Sequence, residues 1–339
     1  MTAIRLALAR GVDTVLDRTV APGYSKVGLA VRSHLPDWPA DPPPGALTGR
    51  TAVVTGASSG LGIATVRGLA RLGAAVRLVV RDEVKGKRVL ADLRRDLPGV
   101  DARVDRCDVG DLDDVRRFAE ELDAERIDVL VHNAGVMPPE RTESAQGHEL
   151  SMAVHLLGPV LMTELLAGRL AAGVGSGVGS GVDGGVDGGV SGGRVVLVTS
   201  GGMYGQRLRS DDPEFRSGDY SPTAAYARSK RAQVELLPVL ADRWAGRGIG
   251  VYATHPGWAE TPGVTESLPR FDTVIGPLLR DADGGADTTV WISATAPEPP
   301  SGHLWHDRHQ RPTHLLPRTR TGDAERDAMW AWVRESTGI

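Results

Sequence analysis

The sequence predicts an α/β fold, a doubly wound three-layer sandwich with a mainly parallel central sheet. Three observations predict it. Short apolar, β-branched runs alternate with longer helix-like segments, and the first run feeds a glycine-rich turn that opens a helix. The chain, 339 residues at 41% hydrophobic content, is also long enough to bury one sizeable core or two modest ones.

The elements follow in order. "TAVVT" at Thr51 is a buried strand, and a helix runs from the turn after it through Leu72. "AAVRLVV" ends at Val80 as a second strand, and a charged helix continues to about Asp96. "ARVDRCDV" leads into the helix "DLDDVRRFAEEL", and "IDVLVH" into a long helix containing "AVHLLGPVLMTELL", Ala153 to Leu166. "RVVLVTS" at Arg194, a helix from about Thr223 to Trp244, and "GIGVYATHP" extend the pattern. Continuous apolar strands separated by helices argue a parallel sheet covered on both faces.

Composition shifts divide the chain into an N-terminal extension with a proline-rich linker (1–48), a main unit (49–316) and a helical tail (317–339). The prolines of "DWPADPPPGALTGR", Asp37 to Arg50, forbid continuous helix and make a stiff connection. The first twenty residues have helix-like apolar spacing and are expected to pack on the body of the protein, with a membrane surface as the alternative. Within the main unit, "AGVGSGVGSGVDGGVDGGVSGG" at 172–193 carries too little apolar surface to offset its ordering entropy, so it is expected to be a flexible insertion away from the chemistry.

Several function classes are disfavoured. Lys plus Arg total 39 against 43 acidic residues, so a net charge of −4 gives no general attraction to nucleic acid. The one cysteine, Cys107, forms no internal disulfide and no zinc set, and is expected to be a small buried apolar residue. His303, His306 and His309 lack nearby acidic or cysteine ligands of matching geometry, so they are expected to be strand or surface histidines and no metal is expected. Arg5 and Arg10 interrupt the only signal-like run, and no run approaches the roughly 20 apolar residues that span a bilayer. The expectation is a cytoplasmic protein with a small-molecule partner and no transmembrane segment.

The turn "TGASSGLG" places Gly56, Gly60 and Gly62 between a strand and a helix. Glycine permits the strained backbone angles, and the helix N-terminus then presents amides and a positive dipole end to a pyrophosphate. The spacing differs from the commoner G-x-G-x-x-G fingerprint, but the strand before it and the helix after it supply the right context.

The chain resembles the short-chain dehydrogenase/reductase superfamily, whose fold is Rossmann-type. The resemblance continues through "NAG" at Asn133, the serine ending "VVLVTS" at Ser200, "YARSK" at Tyr226 and "HPGWAETP" at His255. In "SGGM", "HPGWAETPGV", "GADTTVWIS" and "SGHLWHDR" it is most similar to the family member 12-like subgroup. It implies a hydride-transferring oxidoreductase that interconverts an alcohol and a ketone or aldehyde with NAD(P)(H). A nucleotide-binding sensor or scaffold with little turnover is the alternative. The substrate is expected to be a hydrophobic carbonyl or alcohol, and the assembly a homodimer or homotetramer.

Tyr226 and Lys230, four residues apart, share one helix face. A phenol titrating near ~10 needs its anion stabilised, and the Lys230 ammonium supplies that. Tyr226 is thus the expected general acid/base, Ser200 orients the substrate oxygen, and Lys230 also binds the nicotinamide ribose, as the resemblance implies. The long spacing from Ser200 to Tyr226 suggests that "YGQRLRSDDPEFRSGDYSPTA" forms an active-site wall or lid.

The resemblance carries cofactor contacts onto Thr55, Gly56, Ser58, Ser59, Gly60, Leu61 and Gly62 of the turn. Further contacts fall on Asp108 with Val109, on Asn133, Ala134 and Gly135, and on Pro256, Gly257 and Thr261. Asp108 matches the aspartate that hydrogen-bonds adenine, and Thr261 the threonine that touches the carboxamide. At the end of the second strand "VVRDE" presents Arg81 before Asp82, which suits a 2′-phosphate, so NADP(H) is favoured with NAD(H) possible.

One family position is altered. His155 stands where the resemblance places an asparagine, the fourth catalytic member, whose backbone carbonyl at a helix irregularity holds a water leading outward from the active-site lysine. A carbonyl survives a side-chain change, but an imidazole titrating near ~6.5 would alter the pH response. His155→Asn is therefore expected to raise turnover or shift its pH profile.

Overall fold

The computed structural model describes residues 3–171, 192–260 and 276–339. Eight strands form one sheet: β1 (Thr51–Thr55), β2 (Ala75–Val80), β3 (Ala102–Arg106), β4 (Val129–His132), β5 (Gly193–Val198), β6 (Ile249–Thr254), β7 (His303–His306) and β8 (His309–Arg311). Their order is β3-β2-β1-β4-β5-β6-β7-β8. Every pairing is parallel except the β7–β8 hairpin. The order reverses between β1 and β4, and a crevice opens at such a point above the strands' carboxyl ends.

Side chains alternate across the sheet with period two and feed a separate core on each face. Val53, Leu130, Val195, Leu197 and Val251 face one core, which also holds residues of α6 (Leu112–Glu121), α8 (Gly158–Ala171), α10 (Leu237–Ala245) and α12 (Asp323–Thr337). Ala52, Val54, Leu78, Val196 and Tyr252 face the other, against α4 (Gly60–Arg71), α5 (Glu83–Asp96) and α11 (Ala282–Ala294). Helices on both faces give the three-layer, doubly wound architecture the sequence predicts.

Two helices differ in detail from expectation. The segment expected as one helix from Thr223 to Trp244 is two, α9 (Pro222–Glu235) and α10, because Pro238 follows the break and has no N–H to donate. The long helix contains α7 (Leu150–Met152), a π-helical turn at Ala153–Leu157 and α8. Contrary to the sequence reading, its 21 residues Leu150–Leu170 are long and apolar enough to cross a membrane; they are mostly buried inside the protein and form a core helix.

The extension lies against the body. It holds α1 (Ala3–Arg18), α2 (Val20–Tyr24) and α3 (Lys26–Ser33). Asp13 of α1 is bonded by Arg32 of α3 and, on both oxygens, by Arg311 of β8. The proline-rich connection is also pinned: Trp291 Nε1 donates to Ala40 O at 3.1 Å, and Leu47 is fully buried. The glycine–valine insertion lies outside the described residues except for Gly192 and Gly193, and Gly193 already opens β5. In the tail, α12 buries Met329 and Val333.

Candidate active site

The glycine turn after β1 is built for close approach. Gly56 has φ +65°, and a Cβ there would lie 2.7 Å from Ala134 Cα; one at Gly62 would lie 2.1 Å from Gly56 O. Ser59, at the N-cap of α4, is exposed and makes no side-chain cap bond, so the helix end faces the crevice without an internal acceptor from that hydroxyl. This geometry fits a dinucleotide pyrophosphate.

Thr55 and Asn133 tie the turn to the segment after β4. Thr55 Oγ1 accepts from the amides of Asn133 and Ala134, both at 3.1 Å, while Asn133 Nδ2 donates to Thr55 O at 3.2 Å and to Gly56 O at 3.3 Å. Asp108 closes its own turn by accepting from Gly110 N at 3.0 Å. Val109 packs under the long helix, where a Cβ at Gly158 would meet Val109 O at 2.0 Å. At the end of β2, Asp82 is committed as the cap of α5, with Oδ1 accepting from Val84 N and Lys85 N, whereas Arg81 is exposed. Gly257, after β6, has φ +73° and donates its N–H to His255 Nδ1 at 2.9 Å. Thr261 lies outside the described residues.

The structure brings Ser200, Tyr226 and Lys230 together beside the carboxyl end of β5. Burial raises the Tyr226 phenol's pKa, and the neighbouring Ser200 hydroxyl opposes the rise. Lys230 Nζ lies 5.7 Å from the Tyr226 ring centroid and donates to Val198 O at 2.7 Å. Lys230 is 2% exposed, and burial lowers its ammonium to about 7. Both groups are thus pushed toward their neutral forms.

His155 occupies the π-helical turn, wholly buried, with its ring edge-on to Tyr226 at 5.2 Å. Val136 N–H donates to Nε2 at 3.0 Å, which fixes that nitrogen as unprotonated. Nδ1 must then carry the proton and donate to Ser229 Oγ at 2.7 Å, and Ser229 Oγ donates in turn to Tyr226 O at 2.8 Å. The backbone carbonyl of His155 accepts from Gln233 Nε2 at 2.5 Å.

These contacts correct the expectation of a titrating imidazole. Burial first, and the Lys230 charge second, push His155 well below its ordinary pKa. The ring braces the segment after β4 against α9, and Gln233 occupies the carbonyl. Asparagine is too short to reach Val136 and Ser229 together. His155→Asn is therefore expected to lose about 1–3 kcal/mol in denaturant unfolding, with the shape of the kcat–pH profile between pH 5 and 8 unchanged.

The segment between Ser200 and Tyr226 is an ordered wall at its base: Glu214 accepts from His148 Nδ1 at 2.7 Å and Glu149 N at 2.6 Å, and Tyr220 O–H donates to Glu149 Oε1 at 3.1 Å. Sequence reasoning did not single out Ser229 or Gln233, although both lie in or beside "YARSK" and Gln233 is one turn past Lys230. It also missed Tyr24, whose ring packs behind Ser200, because nothing in "GYSKVG" signals that long-range contact.

A doubly wound sheet, a glycine turn at its first helix and a serine–tyrosine–lysine cluster at the sheet's carboxyl edge define an NAD(P)-dependent oxidoreductase. Comparison with known proteins agrees. The short chain dehydrogenase family model matches residues 50–182. Dehydrogenase/reductase SDR family member 12 of Bos taurus is 34% identical over 287 residues, covering 83% of this chain and 84% of the relative. Retinol dehydrogenase 12 of Bos taurus is 33% identical over 301 residues, covering 86% and 88%. A solved NAD(P)-dependent dehydrogenase chain from Beutenbergia cavernae, with NADP bound at low occupancy, superposes with a TM-score of 0.60 at 29% identity over 78% of this chain and 97% of that one. The chain belongs to the short-chain dehydrogenase/reductase family.

Proposed function

We propose that the protein interconverts a hydrophobic alcohol with its ketone or aldehyde, with Tyr226 as general acid/base. The observation that carries this reading is the placement of Tyr226 with buried Lys230 5.7 Å from its ring centroid and the Ser200 hydroxyl beside its phenol. Bound NAD(P)(H) supplies or accepts the hydride. Ser200 orients the substrate oxygen, and the Tyr226 phenol gives that oxygen its proton during reduction. A raised phenol pKa suits this direction, because the acid starts protonated. The phenolate left behind favours the charged form of Lys230, which burial alone lowers to about 7, and the ammonium in turn stabilises the phenolate; in oxidation the same phenolate takes the hydroxyl proton. Loss of NADPH absorbance over a panel of hydrophobic aldehydes and ketones, compared between native protein and Tyr226→Phe, tests the assignment. An apolar substrate is favoured because one relative is named for retinol, an alcohol with a long apolar body.

For the cofactor, NADP(H) is favoured over NAD(H). Asp82 is engaged as a helix cap, and Arg81 stands exposed where a ribose 2′-phosphate would meet it. A charge-assisted bond is worth roughly 1.5–3 kcal/mol, or about 10- to 150-fold in affinity. Arg81→Ala is expected to raise the NADPH dissociation constant by at least about tenfold within that range and leave that for NADH within a factor of about two. Equal weakening of both would contradict the assignment to the 2′-phosphate.

A further inference from the structure

The N-terminal extension reaches the candidate site at one residue. Tyr24, at the end of α2, is 1% exposed. Its ring stands edge-on to His255 at 4.6 Å and to Trp258 at 6.3 Å, and a Cβ built on Gly201 would lie 3.3 Å from its Cε2. Gly201 follows Ser200 directly, and His255 precedes Pro256 and Gly257. One aromatic ring therefore packs against Gly201, the residue after the oxygen-orienting serine, and against His255 and Trp258, which flank the proposed cofactor contacts after β6.

The backbone of Tyr24 is bonded into the same place. Trp258 N donates to Tyr24 O at 2.7 Å, and Arg280 Nε donates to Tyr24 O at 3.0 Å and Ser25 O at 3.2 Å. Arg280 N donates to Trp258 O at 2.7 Å, and its guanidinium pairs with Asp307 at 2.6 Å. A Cβ at Gly257 would fall 2.5 Å from Arg280 Nε and 2.7 Å from Tyr24 O, so only glycine fits at this left-handed position against Arg280 and the extension. The Tyr24 hydroxyl has no hydrogen-bond partner among the described residues, which leaves the ring and the carbonyl as the working parts.

We propose that Tyr24 is a positioning residue of the active site, and that the extension is part of the cofactor-binding surface. It sets where Ser200–Gly201 and Pro256–Gly257 stand relative to one another. This rests on the reading of Pro256 and Gly257 as cofactor contacts.

The test uses the full chain and measures NADPH affinity by fluorescence, alongside kcat, KM and thermal melting, for Tyr24→Phe, Tyr24→Leu and Tyr24→Ala. Tyr24→Phe keeps the ring and is expected within about twofold of native protein in every readout. Tyr24→Leu keeps apolar bulk but not the ring's flat face; it is expected to fold, to weaken NADPH by about tenfold or more, and to raise KM more than it lowers kcat. Tyr24→Ala is expected to show the same change, larger. A folded Tyr24→Leu with native NADPH affinity overturns the proposal, as does a Tyr24→Leu that fails to fold, which makes the ring structural alone. Native protein that fails to bind NADPH overturns the functional reading instead, so the two failures are distinguishable.

Discussion

Tyr226→Phe is expected to lower kcat by about 10²- to 10⁴-fold, the usual contribution of a positioned general acid/base. The substitution removes one oxygen and little else. The ring keeps its edge-on contact with His155, and the backbone carbonyl keeps its bond from Ser229 Oγ. Lys230 stays on Val198 O. NADPH affinity should therefore stay within a few-fold of native, and the unfolding midpoint should not fall, because the deleted hydroxyl leaves Ser200 partly exposed and able to bond water. Steady-state kinetics with separate cofactor titration checks all three. A loss shared between kcat and cofactor binding would assign Tyr226 to binding instead.

Asp307→Asn is expected to cost about 3–5 kcal/mol of stability, the size observed when one partner of a buried ion pair is removed. Asp307 is 1% exposed and accepts from Arg32 Nη1 at 2.7 Å and from Arg280 Nη1 and Nη2 at 2.6 and 3.0 Å. Arg32 retains Asp13, but Arg280 makes no other ion pair among the described residues. Asparagine tolerates the positive φ of this hairpin position, +49°, so the variant isolates the charge from the backbone. Burial raises the Asp307 carboxyl, and His306, with the Arg280 and Arg32 guanidiniums after it, outweighs burial and holds the group well below the ordinary range. A depressed carboxyl contributes stability above its unfolded pKa near ~3.9 and loses it as pH falls below that value. The difference between native protein and Asp307→Asn should thus be full at pH 7 and shrink below about pH 4, as read by denaturant midpoints.

The sheet was legible because β1, β2, β4, β5 and β6 are buried on both faces and read as largely apolar runs, and the glycine turn was legible because only glycine fits there. Ser200, Tyr226 and Lys230 could be named from the ordered motifs that carry the family resemblance, and the fold then brings them together. His155 shows where local reading stops. Its residue type suggested a titrating group, but its tautomer is set by Val136, 19 positions before it, and Ser229, 74 positions after it. The extension shows the same limit: "GYSKVG" carries no sign that Tyr24 will meet Trp258 and Arg280, more than 230 residues away, because such contacts depend on how both ends of the chain close over the sheet. The long core helix was underestimated for the opposite reason. Glu164 and Arg169 interrupt its apolar sequence, yet Glu164 reaches Arg243 and Trp244 and Arg169 reaches Leu122 O, so both are accommodated at the edge of a buried helix.

Transfer of deuterium from [4,4-²H₂]NADPH to the carbonyl carbon of hydrophobic aldehydes and ketones tests the central claim most directly. The account predicts a monodeuterated alcohol and oxidised cofactor in equal amounts with native protein, and a product yield lower by about 10²-fold or more with Tyr226→Phe at equal cofactor occupancy. Tight NADPH binding with no labelled alcohol from any carbonyl would contradict it in favour of a nucleotide-binding scaffold, and equal label from both proteins would remove Tyr226 from the chemistry.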